Sequence, residues 1–473
     1  MSAGNTGGTA INILSHNELI VRASAAVRAA QTQVQDDPLR PGYHFTAPAH
    51  WLNDPNGPIY FDGAYHLFYQ HNPFGPEWGN MSWGHACSKD LVHWEHLPVA
   101  LTPGPHSYDQ DGVFSGSCVI HNGVPTILYT GVQPEVQCLA QSFDGMNTWI
   151  KESRNPVIAG PPRDDLTAFR DPFVWYEDQD WYMIVGSGIK GIGGAALLFR
   201  SHDLLEWQYL HPFCTGFGAI WECPNFLWLG GRPILIVSPE DTVRFAVGEY
   251  RNYRFIPENW KILNVGGPRE FYAPNTLQDD QGRTIMWGWI QGGGSPGFPW
   301  QGMLSLPRIL NLDAHDNLLQ MPVPELAVLR QPGYSLARVE ISNGMLPVIY
   351  GDSWEMIIEF ESERIGNFLF SLNCPVIELD ILTIKITDNN QRITINGHNQ
   401  NFDLNDKSSL SLHIFMDRSV WEIFINHQIC STGRFYRPIT GEINCILKTG
   451  NDRDYLKKYK FWPLRAADSN LNE

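Results

Sequence analysis

The chain has few positive charges, no paired cysteines and no long hydrophobic run. Its 33 lysines and arginines face 50 acidic residues, and the net charge of −17 argues against a nucleic-acid or anionic-membrane partner. None of the eight cysteines forms a Cys-x-x-Cys pair, so free buried thiols are expected, with no zinc site and no disulfide framework. No apolar run reaches the length of a membrane span and no signal-peptide core is present, which predicts a cytoplasmic protein.

What the chain does contain first is a helical segment. Residues 17–33 place Leu19, Val27 and Ala30 at helical spacing with few turn formers, and the N-cap is expected near Ser15 or Asn17. This pattern predicts one amphipathic helix inside an N-terminal extension, residues 1–37. We expect the helix to dock on the domain that follows.

From residue 38 to 312 the chain repeats short β-type runs separated by turns. The turns lie near positions 62, 122, 179, 231 and 282, which gives steps of 60, 57, 52 and 51 residues. Tryptophans predicted to close a later strand of each unit keep a similar period, at positions 94, 149, 207 and 260. Periods near 50 with several strands per unit are typical of propeller blades, so five units predict a five-bladed β-propeller.

The remainder of the chain has a different pattern. Residues 313–335 contain three prolines and are predicted to be a linker. Residues 336–473 alternate apolar and polar positions in period two, as at Trp354, Met356 and Ile358, which predicts a β-sandwich. The expected fold is therefore all-β: a five-bladed β-propeller followed by a C-terminal β-sandwich, with a short N-terminal helix.

Three carboxylates stand beside prolines at the same place in three copies of the repeat. They are Asp54, Asp171 and Glu222, and the corresponding place in the other two copies holds Gly116 and Pro274. A propeller gathers the starts of its innermost strands around one channel, and a repeat puts equivalent residues at equivalent positions. The three acids are therefore expected to meet in one pocket.

Two facing carboxyl groups are sufficient to hydrolyse a glycosidic bond. Glu222 has apolar neighbours such as Trp221, which raise the pKa of a carboxyl group, so it is the expected general acid. Asp54 lies in a turn rich in hydrogen-bond donors, which favours an ionised nucleophile. Asp171 follows Arg170, whose charge is expected to hold it ionised, and a third carboxylate can stabilise positive charge on a sugar ring. The 17 tryptophans and 17 tyrosines also suit the apolar faces of sugars, although core packing explains most of them.

A metal site is the alternative use of these acids. His85, His93 and His96 could supply further ligands. However, His93 and His96 lie in the segment that closes the blade, away from the strand starts, and His85 is typical of a hydrogen-bonded core residue. The sequence therefore predicts neither a metal nor a cofactor.

Longer motifs surround the three acids. They are Trp51-Leu52-Asn53-Asp54-Pro55-Asn56-Gly57, Phe169-Arg170-Asp171-Pro172 and Trp221-Glu222-Cys223-Pro224, with supporting segments such as Tyr69-Gln70-His71-Asn72-Pro73 and Trp83-Gly84-His85. These segments resemble glycoside hydrolase family 32, the β-fructofuranosidases. The resemblance covers about residues 40–465 and implies a five-bladed propeller followed by a β-sandwich, in agreement with the repeat.

The resemblance also implies roles for single residues. Asp54 would be the nucleophile, Glu222 the acid/base and Asp171 the transition-state stabiliser. The family retains anomeric configuration through a covalent fructosyl-enzyme, which implies a carboxylate separation of about 5–5.5 Å. Asn225 and Glu270 stand where relatives commonly have Asp. Residues expected to line the sugar pocket are Trp51, Asn53, Gln70, Trp78, Phe114, Ser115, Arg170, Glu270 and Tyr272.

The expected partner is a small sugar, namely sucrose or a short fructo-oligosaccharide, and the sequence carries no feature that sets an oligomeric state. Lysine and arginine are sparse in the motif segments, which favours an unphosphorylated substrate. The alternatives are a sucrose-6-phosphate hydrolase, a fructosyltransferase that uses the same intermediate and a non-catalytic sugar-binding propeller. The last would lack one of the three acids, and all three are present.

Overall fold

A computed structural model of the chain describes residues 14–340, 344, 346–361, 368–387, 392–401, 409–448 and 455–467. The first 13 residues of the predicted N-terminal extension lie outside the described residues. Throughout the described ranges the molecule consists mainly of antiparallel β-sheet. No helix in these ranges combines the length and hydropathy needed to cross a membrane.

The predicted N-terminal helix is confirmed. Helix α1 spans His16–Gln31, and Ser15 caps its first turn. The Ser15 hydroxyl accepts the Glu18 N–H at 3.4 Å, while the Glu18 carboxylate accepts the Ser15 N–H at 2.7 Å, which is a reciprocal capping box. The buried face of α1 includes Ser24, whose hydroxyl accepts the backbone N–H of Val99 at 3.0 Å. The helix is thereby docked on the first blade.

Five blades follow, and each begins with its innermost strand. Blade one is β1 (His50–Phe61), β2 (Ala64–Asn72), β3 (Ser82–Ser88) and β4 (Glu95–Leu101). Blade two is β5 (Gly112–His121), β6 (Val124–Val132), β7 (Val136–Gln141) and β8 (Ile150–Lys151). Blade three is β9 (Leu166–Glu177), β10 (Asp180–Ile189), β11 (Gly193–Ser201) and β12 (Gln208–Thr215). Blade four is β13 (Glu222–Leu229), β14 (Arg232–Ser238), β15 (Arg244–Arg251) and β16 (Arg254–Ile262).

The fifth blade also closes the ring. Strand β19 pairs in parallel with β1 of blade one and antiparallel with β18, so blades one and five share one nine-stranded sheet. Strand β21 lies within the stretch predicted to be a linker, where it forms a hairpin with β20. Blade five comprises β17 (Tyr272–Gln278), β18 (Thr284–Gly293), β19 (Trp300–Leu304), β20 (Arg308–Leu312) and β21 (Leu318–Pro322).

The turns that defined the repeat join the first and second strands of every blade. In blade one, Asp62 and Gly63 have φ of 49° and 79°, and in blade two Asn122 and Gly123 have φ of 50° and 79°. Two successive residues with positive φ are the requirement of the tight I′ hairpin turn, which Asp-Gly and Asn-Gly satisfy with little strain. The repeat therefore predicted the blade count correctly.

The tryptophan marker lies elsewhere than predicted in three of its four copies, whereas Trp260 lies near the end of the outermost strand β16 as expected. Instead of closing a strand, Trp94 and Trp207 come directly before the outermost strands β4 and β12. The indole N–H of Trp94 donates to Leu91 O at 3.2 Å, and that of Trp207 donates to Leu204 O at 2.9 Å. Both leucines have positive φ, so the indole satisfies a carbonyl of the turn that leads into the last strand.

In its described residues, the C-terminal part is a β-sandwich of two six-stranded sheets. A 3-10 helix, Pro324–Leu329, precedes it, and another, Pro375–Ile377, lies within it. Trp354, Met356 and Ile358 are buried, as their alternation predicted. Its strands are β22 (Tyr334–Glu340), β23 (Ile349–Tyr350), β24 (Ser353–Glu361), β25 (Phe368–Cys374), β26 (Leu379–Thr387), β27 (Arg392–Ile395), β28 (His398–Asn401), β29 (Ser409–Asp417), β30 (Val420–Ile425), β31 (Ile429–Arg434), β32 (Glu442–Lys448) and β33 (Tyr455–Pro463).

Candidate active site

All five innermost strands of the propeller are interrupted by a β-bulge at the same depth. A bulge leaves residues unpaired, bends the strand and re-aims side chains, here at the start of each strand. Prolines are tolerated at such points because no ladder hydrogen bond is required of them. The bulges match the predicted register of the repeat to within one residue. Pro172, Pro224 and Pro274 lie inside their bulges, whereas Pro55 and Gly116 are the first paired residues after theirs. The unpaired residues of the bulges are Asn53-Asp54 in β1, Ser115 in β5, Asp171-Pro172 in β9, Cys223-Pro224 in β13 and Ala273-Pro274 in β17.

The carboxylate of Asp54 is held by three predicted pocket residues. Ser115 Oγ donates to Asp54 Oδ2 at 2.6 Å, and Asn53 Nδ2 donates to Asp54 Oδ1 at 2.8 Å. The indole N–H of Trp51 in turn donates to Asn53 Oδ1 at 2.6 Å. Both carboxylate oxygens therefore have a fixed donor, which orients the group without a salt bridge.

Cys223 links Asp54 to Asp171. Its backbone N–H donates to Asp171 Oδ2 at 3.0 Å, and its Sγ lies 3.5 Å from Asp54 Oδ2 and 3.6 Å from Asp171 Oδ2. The sequence analysis treated Cys223 only as a neighbour of Glu222. A signal was available, because Cys223 precedes the bulge proline just as Asp54 and Asp171 do. The two aspartates thus meet around one buried thiol.

Glu222 contacts residues of two neighbouring blades. The Tyr272 hydroxyl lies 2.6 Å from Glu222 Oε2, and Arg170 Nη1 lies 3.3 Å from Glu222 Oε1. The same tyrosine hydroxyl is 3.1 Å from Ser238 O. Tyr272, predicted to line the pocket, therefore contacts the predicted acid directly.

Burial raises the pKa of all three acids. For Asp171 the further causes are the charges of Glu222 and Asp54, and for Glu222 the charge of Asp54 adds to the burial. The pKa of Asp54 is raised although Ser115 and Asn53 donate to it. The cluster therefore binds a proton more tightly than isolated carboxyl groups do. The raised pKa of Glu222 was predicted.

The prediction that the charge of Arg170 holds Asp171 ionised is wrong. The guanidinium is directed at Glu222 and at Glu135, to which its Nη2 makes an ion pair at 2.5 Å. The pull of Arg170 on Asp171 is therefore outweighed, and the pKa of Asp171 is raised by burial and by the neighbouring carboxylates. Glu135 was not predicted, since it lies in a connection that carries no motif.

Aromatic side chains form the rim of the site. Trp78 is 60% exposed, and its ring meets Phe114 edge-on with centroids 6.1 Å apart. The guanidinium carbon of Arg170 lies 6.0 Å from the Phe114 ring centroid. Gln70 is buried behind this row and donates to Val113 O at 2.9 Å. An exposed flat ring at the mouth of a polar pocket suits the C–H face of a sugar.

Two residues noted as departures from relatives serve local structure. Asn225 is buried, and its amide donates to Cys223 O at 3.0 Å and to Pro274 O at 2.9 Å. The Glu270 carboxylate accepts the N–H of Gly267 at 2.8 Å. Asn225 thus ties the bulges of blades four and five together, and the contact of Glu270 with a substrate stays a prediction.

The histidines considered as metal ligands have other partners. His85 lies 3.0 Å from His66 and stacks on Phe68, while His93 pairs with Asp90 at 2.7 Å. Within the described ranges no group of three or more histidine, cysteine, aspartate or glutamate side chains is arranged to hold a metal ion.

Three neighbouring carboxyl groups with raised pKa values, together with the aromatic pair beside Arg170, form an arrangement suited to the hydrolysis of glycosidic bonds. The chain belongs to glycosyl hydrolases family 32: the N-terminal domain of that family matches residues 44–322 and its C-terminal domain matches residues 325–463. The chain is therefore a glycoside hydrolase, and its substrates are sugars. The division between the two matches falls inside the predicted linker.

Several relatives are similar to this chain over most of its length. A sucrose-6-phosphate hydrolase of Zymomonas mobilis is 35% identical over 457 residues, which cover 86% of this chain and 88% of the relative. A raffinose invertase of Escherichia coli is 33% identical over 432 residues, with 82% and 87% covered. The solved structure of a Bombyx mori GH32 beta-fructofuranosidase has a TM-score of 0.81 at 27% identity and covers 96% of this chain and 99% of its own. A mutant of that enzyme is in complex with sucrose.

Proposed function

We propose that this protein is a retaining β-fructofuranosidase that releases terminal β-D-fructofuranose from sucrose and short fructo-oligosaccharides. The observation that carries the proposal is the meeting of Asp54, Asp171 and Glu222 around Cys223, with one donor set on Asp54 and a different one on Glu222. Unequal environments separate the roles of paired carboxyl groups. Asp54 is the nucleophile and Glu222 the acid/base.

The reaction proceeds in two displacements. Asp54 attacks the anomeric carbon while Glu222 gives its proton to the leaving oxygen, which yields a covalent fructosyl-enzyme. Water then attacks the same carbon, with Glu222 taking up the proton. In its ionised form, Asp171 stabilises positive charge on the ring in both transition states. Ser115 and Asn53 keep the Asp54 carboxylate oriented, and Trp78 with Phe114 provides an apolar face for the sugar.

Unphosphorylated substrates are favoured over sucrose-6-phosphate. Among the described contacts of the three acids, Arg170 is the cation, and its guanidinium is already paired with Glu135 and Glu222. A phosphate ester would have to displace one of these carboxylates. A hydrolase acting on sucrose-6-phosphate is the second candidate, supported by the names of relatives such as that of Zymomonas mobilis.

All eight cysteines are free, which fits a reducing compartment such as the cytoplasm.

The test of function is glucose and fructose release from sucrose, raffinose, 1-kestose and sucrose-6-phosphate at equal concentration, with Glu222→Gln as the control. We expect kcat/KM to be highest for sucrose. We also expect NMR to show β-fructofuranose as the first anomer released. Preference for sucrose-6-phosphate would select the second candidate, and trisaccharide formation at high sucrose would indicate transfer.

A further inference from the structure

A fourth carboxylate, that of Glu135, holds the arginine beside the three acids. Glu135 lies in the connection between β6 and β7 of blade two, and its Oε1 is 2.5 Å from Arg170 Nη2. Its other oxygen, Oε2, accepts the backbone N–H of Phe169 at 2.6 Å. Both oxygens are thus used on adjacent residues of β9, so the carboxylate is fixed relative to the strand that carries Arg170.

Neighbouring contacts fix the same stretch of β9 to blade two. Gln137 Nε2 donates to Phe169 O at 2.9 Å, and Thr130 Oγ1 accepts the N–H of Asp171 at 3.0 Å. Thr130 Oγ1 donates in turn to Gln137 Oε1 at 2.9 Å. Hydrogen bonds on both sides of Arg170 therefore fix this stretch of β9 against blade two, the blade from which Glu135 reaches Arg170.

Arg170 contacts two carboxylates at different distances, and the charge of the adjacent Asp171 also acts on it. The 2.5 Å contact with Glu135 is short, whereas the 3.3 Å contact with Glu222 is longer than the usual 2.7–2.9 Å of a charge-assisted bond. The stronger pair is thus made with a carboxylate that has no part in the proposed chemistry. The weaker one is made with the proposed acid.

We propose that Glu135 is a positioning residue that draws Arg170 away from Glu222 and so keeps Glu222 able to carry the proton it gives to the leaving oxygen. This inference rests on the proposed function. Without the negative charge of Glu135, the guanidinium would close on Glu222 and stabilise its ionised form. An acid held in a full ion pair would be ionised at the working pH and unable to protonate the leaving group.

Among the charged groups around Glu222, Arg170 is the one that favours its ionised form. Asp54 and Asp171 are anionic when ionised and favour the protonated acid, whereas the Tyr272 hydroxyl bonds to its carboxylate. The groups that face Glu222 are Asp54 from β1, Arg170 and Asp171 from β9, Tyr272 from β17 and Glu240 from the connection after β14.

The test is the pH profile of kcat/KM for sucrose with Glu135→Gln. The amide keeps an oxygen for the Phe169 N–H and nearly the same shape, but it removes the charge. We expect the alkaline limb, which reports the proton on Glu222, to move to lower pH by about 0.5–1 unit. Glu249→Gln is the matched control, because Glu249 is an exposed glutamate paired with Arg251 and the change in charge is the same.

A second variant separates charge from shape. Glu135→Asp keeps the charge on a shorter side chain, so we expect KM to rise while the alkaline limb stays within about 0.2 unit of the wild type. An unmoved limb in a folded Glu135→Gln protein, judged by an unchanged Tm, would overturn the inference. An equal shift in both variants would overturn it as well. Absence of fructose release by the wild type would overturn the proposed function first, which is a distinguishable result.

Discussion

Two clusters of carboxylates in this molecule differ in charge balance. At the candidate active site, the cluster of Asp54, Asp171 and Glu222 has Arg170 as its cation, and the guanidinium also pairs with Glu135. Negative charge therefore exceeds positive charge when all the acids are ionised. Burial raises the pKa of each of the three acids, and neighbouring carboxylates raise the pKa of Asp171 and of Glu222 further.

The cluster between the propeller and the sandwich is balanced. Arg308 Nη2 lies 2.7 Å from Glu422 Oε2, and His44 bridges Asp417 at 2.9 Å and Glu422 at 3.2 Å. Burial alone would raise the pKa of Glu422, but Arg308 and His44 lower it below its usual value. The two carboxylates raise the pKa of His44 to about 9 against the effect of burial. Two acids are thus matched by two cations.

The difference shows what each arrangement can do. A balanced buried network is costly to break, because removal of one member leaves a charge without a partner. An unbalanced one holds a proton and can release it, which acid/base catalysis requires. We therefore expect the interface cluster to stabilise the fold and the cluster of Asp54, Asp171 and Glu222 to take part in catalysis. Each expectation can be tested by neutralising one acid.

The largest effect on activity is expected from Asp54→Asn. Loss of the nucleophile should lower kcat for sucrose by at least about 10⁴-fold. Because the substitution also removes a charge from a repelling cluster, the Tm should stay the same or rise. Initial rates of fructose release measure the loss of activity, and a thermal melt measures the Tm. A variant that keeps a tenth of the wild-type activity would remove Asp54 from the role of nucleophile.

The largest effect on stability is expected from Glu422→Gln. Arg308 and His44 would lose a buried counter-ion, which should lower the free energy of unfolding by about 3–5 kcal/mol. Urea unfolding measures this loss. Glu442→Gln, on an exposed position of β32, is the control and should change the free energy of unfolding by less than about 0.5 kcal/mol. Similar losses in both variants would mean that the interface cluster does not stabilise the fold.

The sequence predicted that the three acids meet because they repeat, and it missed Glu135 because that residue does not. Asp54, Asp171 and Glu222 could be aligned through the prolines and the turns of the blades. Glu135 comes from a connection between strands, where no periodicity constrains residue type. Nothing local to the chain shows which carboxylate an arginine such as Arg170 will face.

The interface cluster was missed for a related reason. His44, Arg308 and Glu422 are distant in sequence, and each is a single polar residue in an apolar segment. The alternation of the sandwich strands predicted its core, including Trp354 and Met356, but not which polar residue faces the propeller. A repeat or an alternation gives positions within one sheet, whereas contacts between domains depend on how the sheets pack.

The pH dependence of stability should distinguish the interface cluster. Because the pKa of His44 is raised from 6.5 to about 9 in the folded protein, its stabilising effect is fully present below pH 6.5 and is lost as the pH rises through 9. The shift of roughly 2.5 units corresponds to about 3 kcal/mol. The difference in unfolding free energy between wild type and His44→Gln should therefore shrink by about that amount between pH 6 and pH 9.5. A difference that does not change with pH would contradict a charged His44.

The smallest effect is expected from Tyr272→Phe, which perturbs the active-site cluster without removing a charge. The Tyr272 hydroxyl is closer to Glu222 Oε2, at 2.6 Å, than to Ser238 O, at 3.1 Å, so it donates to the carboxylate and favours its ionised form. Loss of the hydroxyl should raise the pKa of Glu222 and move the alkaline limb of kcat/KM to higher pH by about 0.5 unit, opposite in sign to Glu135→Gln.

The matched control for this variant is Tyr250→Phe, which removes a hydroxyl 3.0 Å from the carboxylate of Glu177, a glutamate outside the active-site cluster. Its pH profile should coincide with that of the wild type. A shift of the Tyr272→Phe limb to lower pH would reverse the assignment of the proton. Protonated Glu222 would then be the donor and Tyr272 the acceptor, with the tyrosine proton turned towards Ser238 O. The sign of this shift therefore decides which group holds the proton before sugar binds.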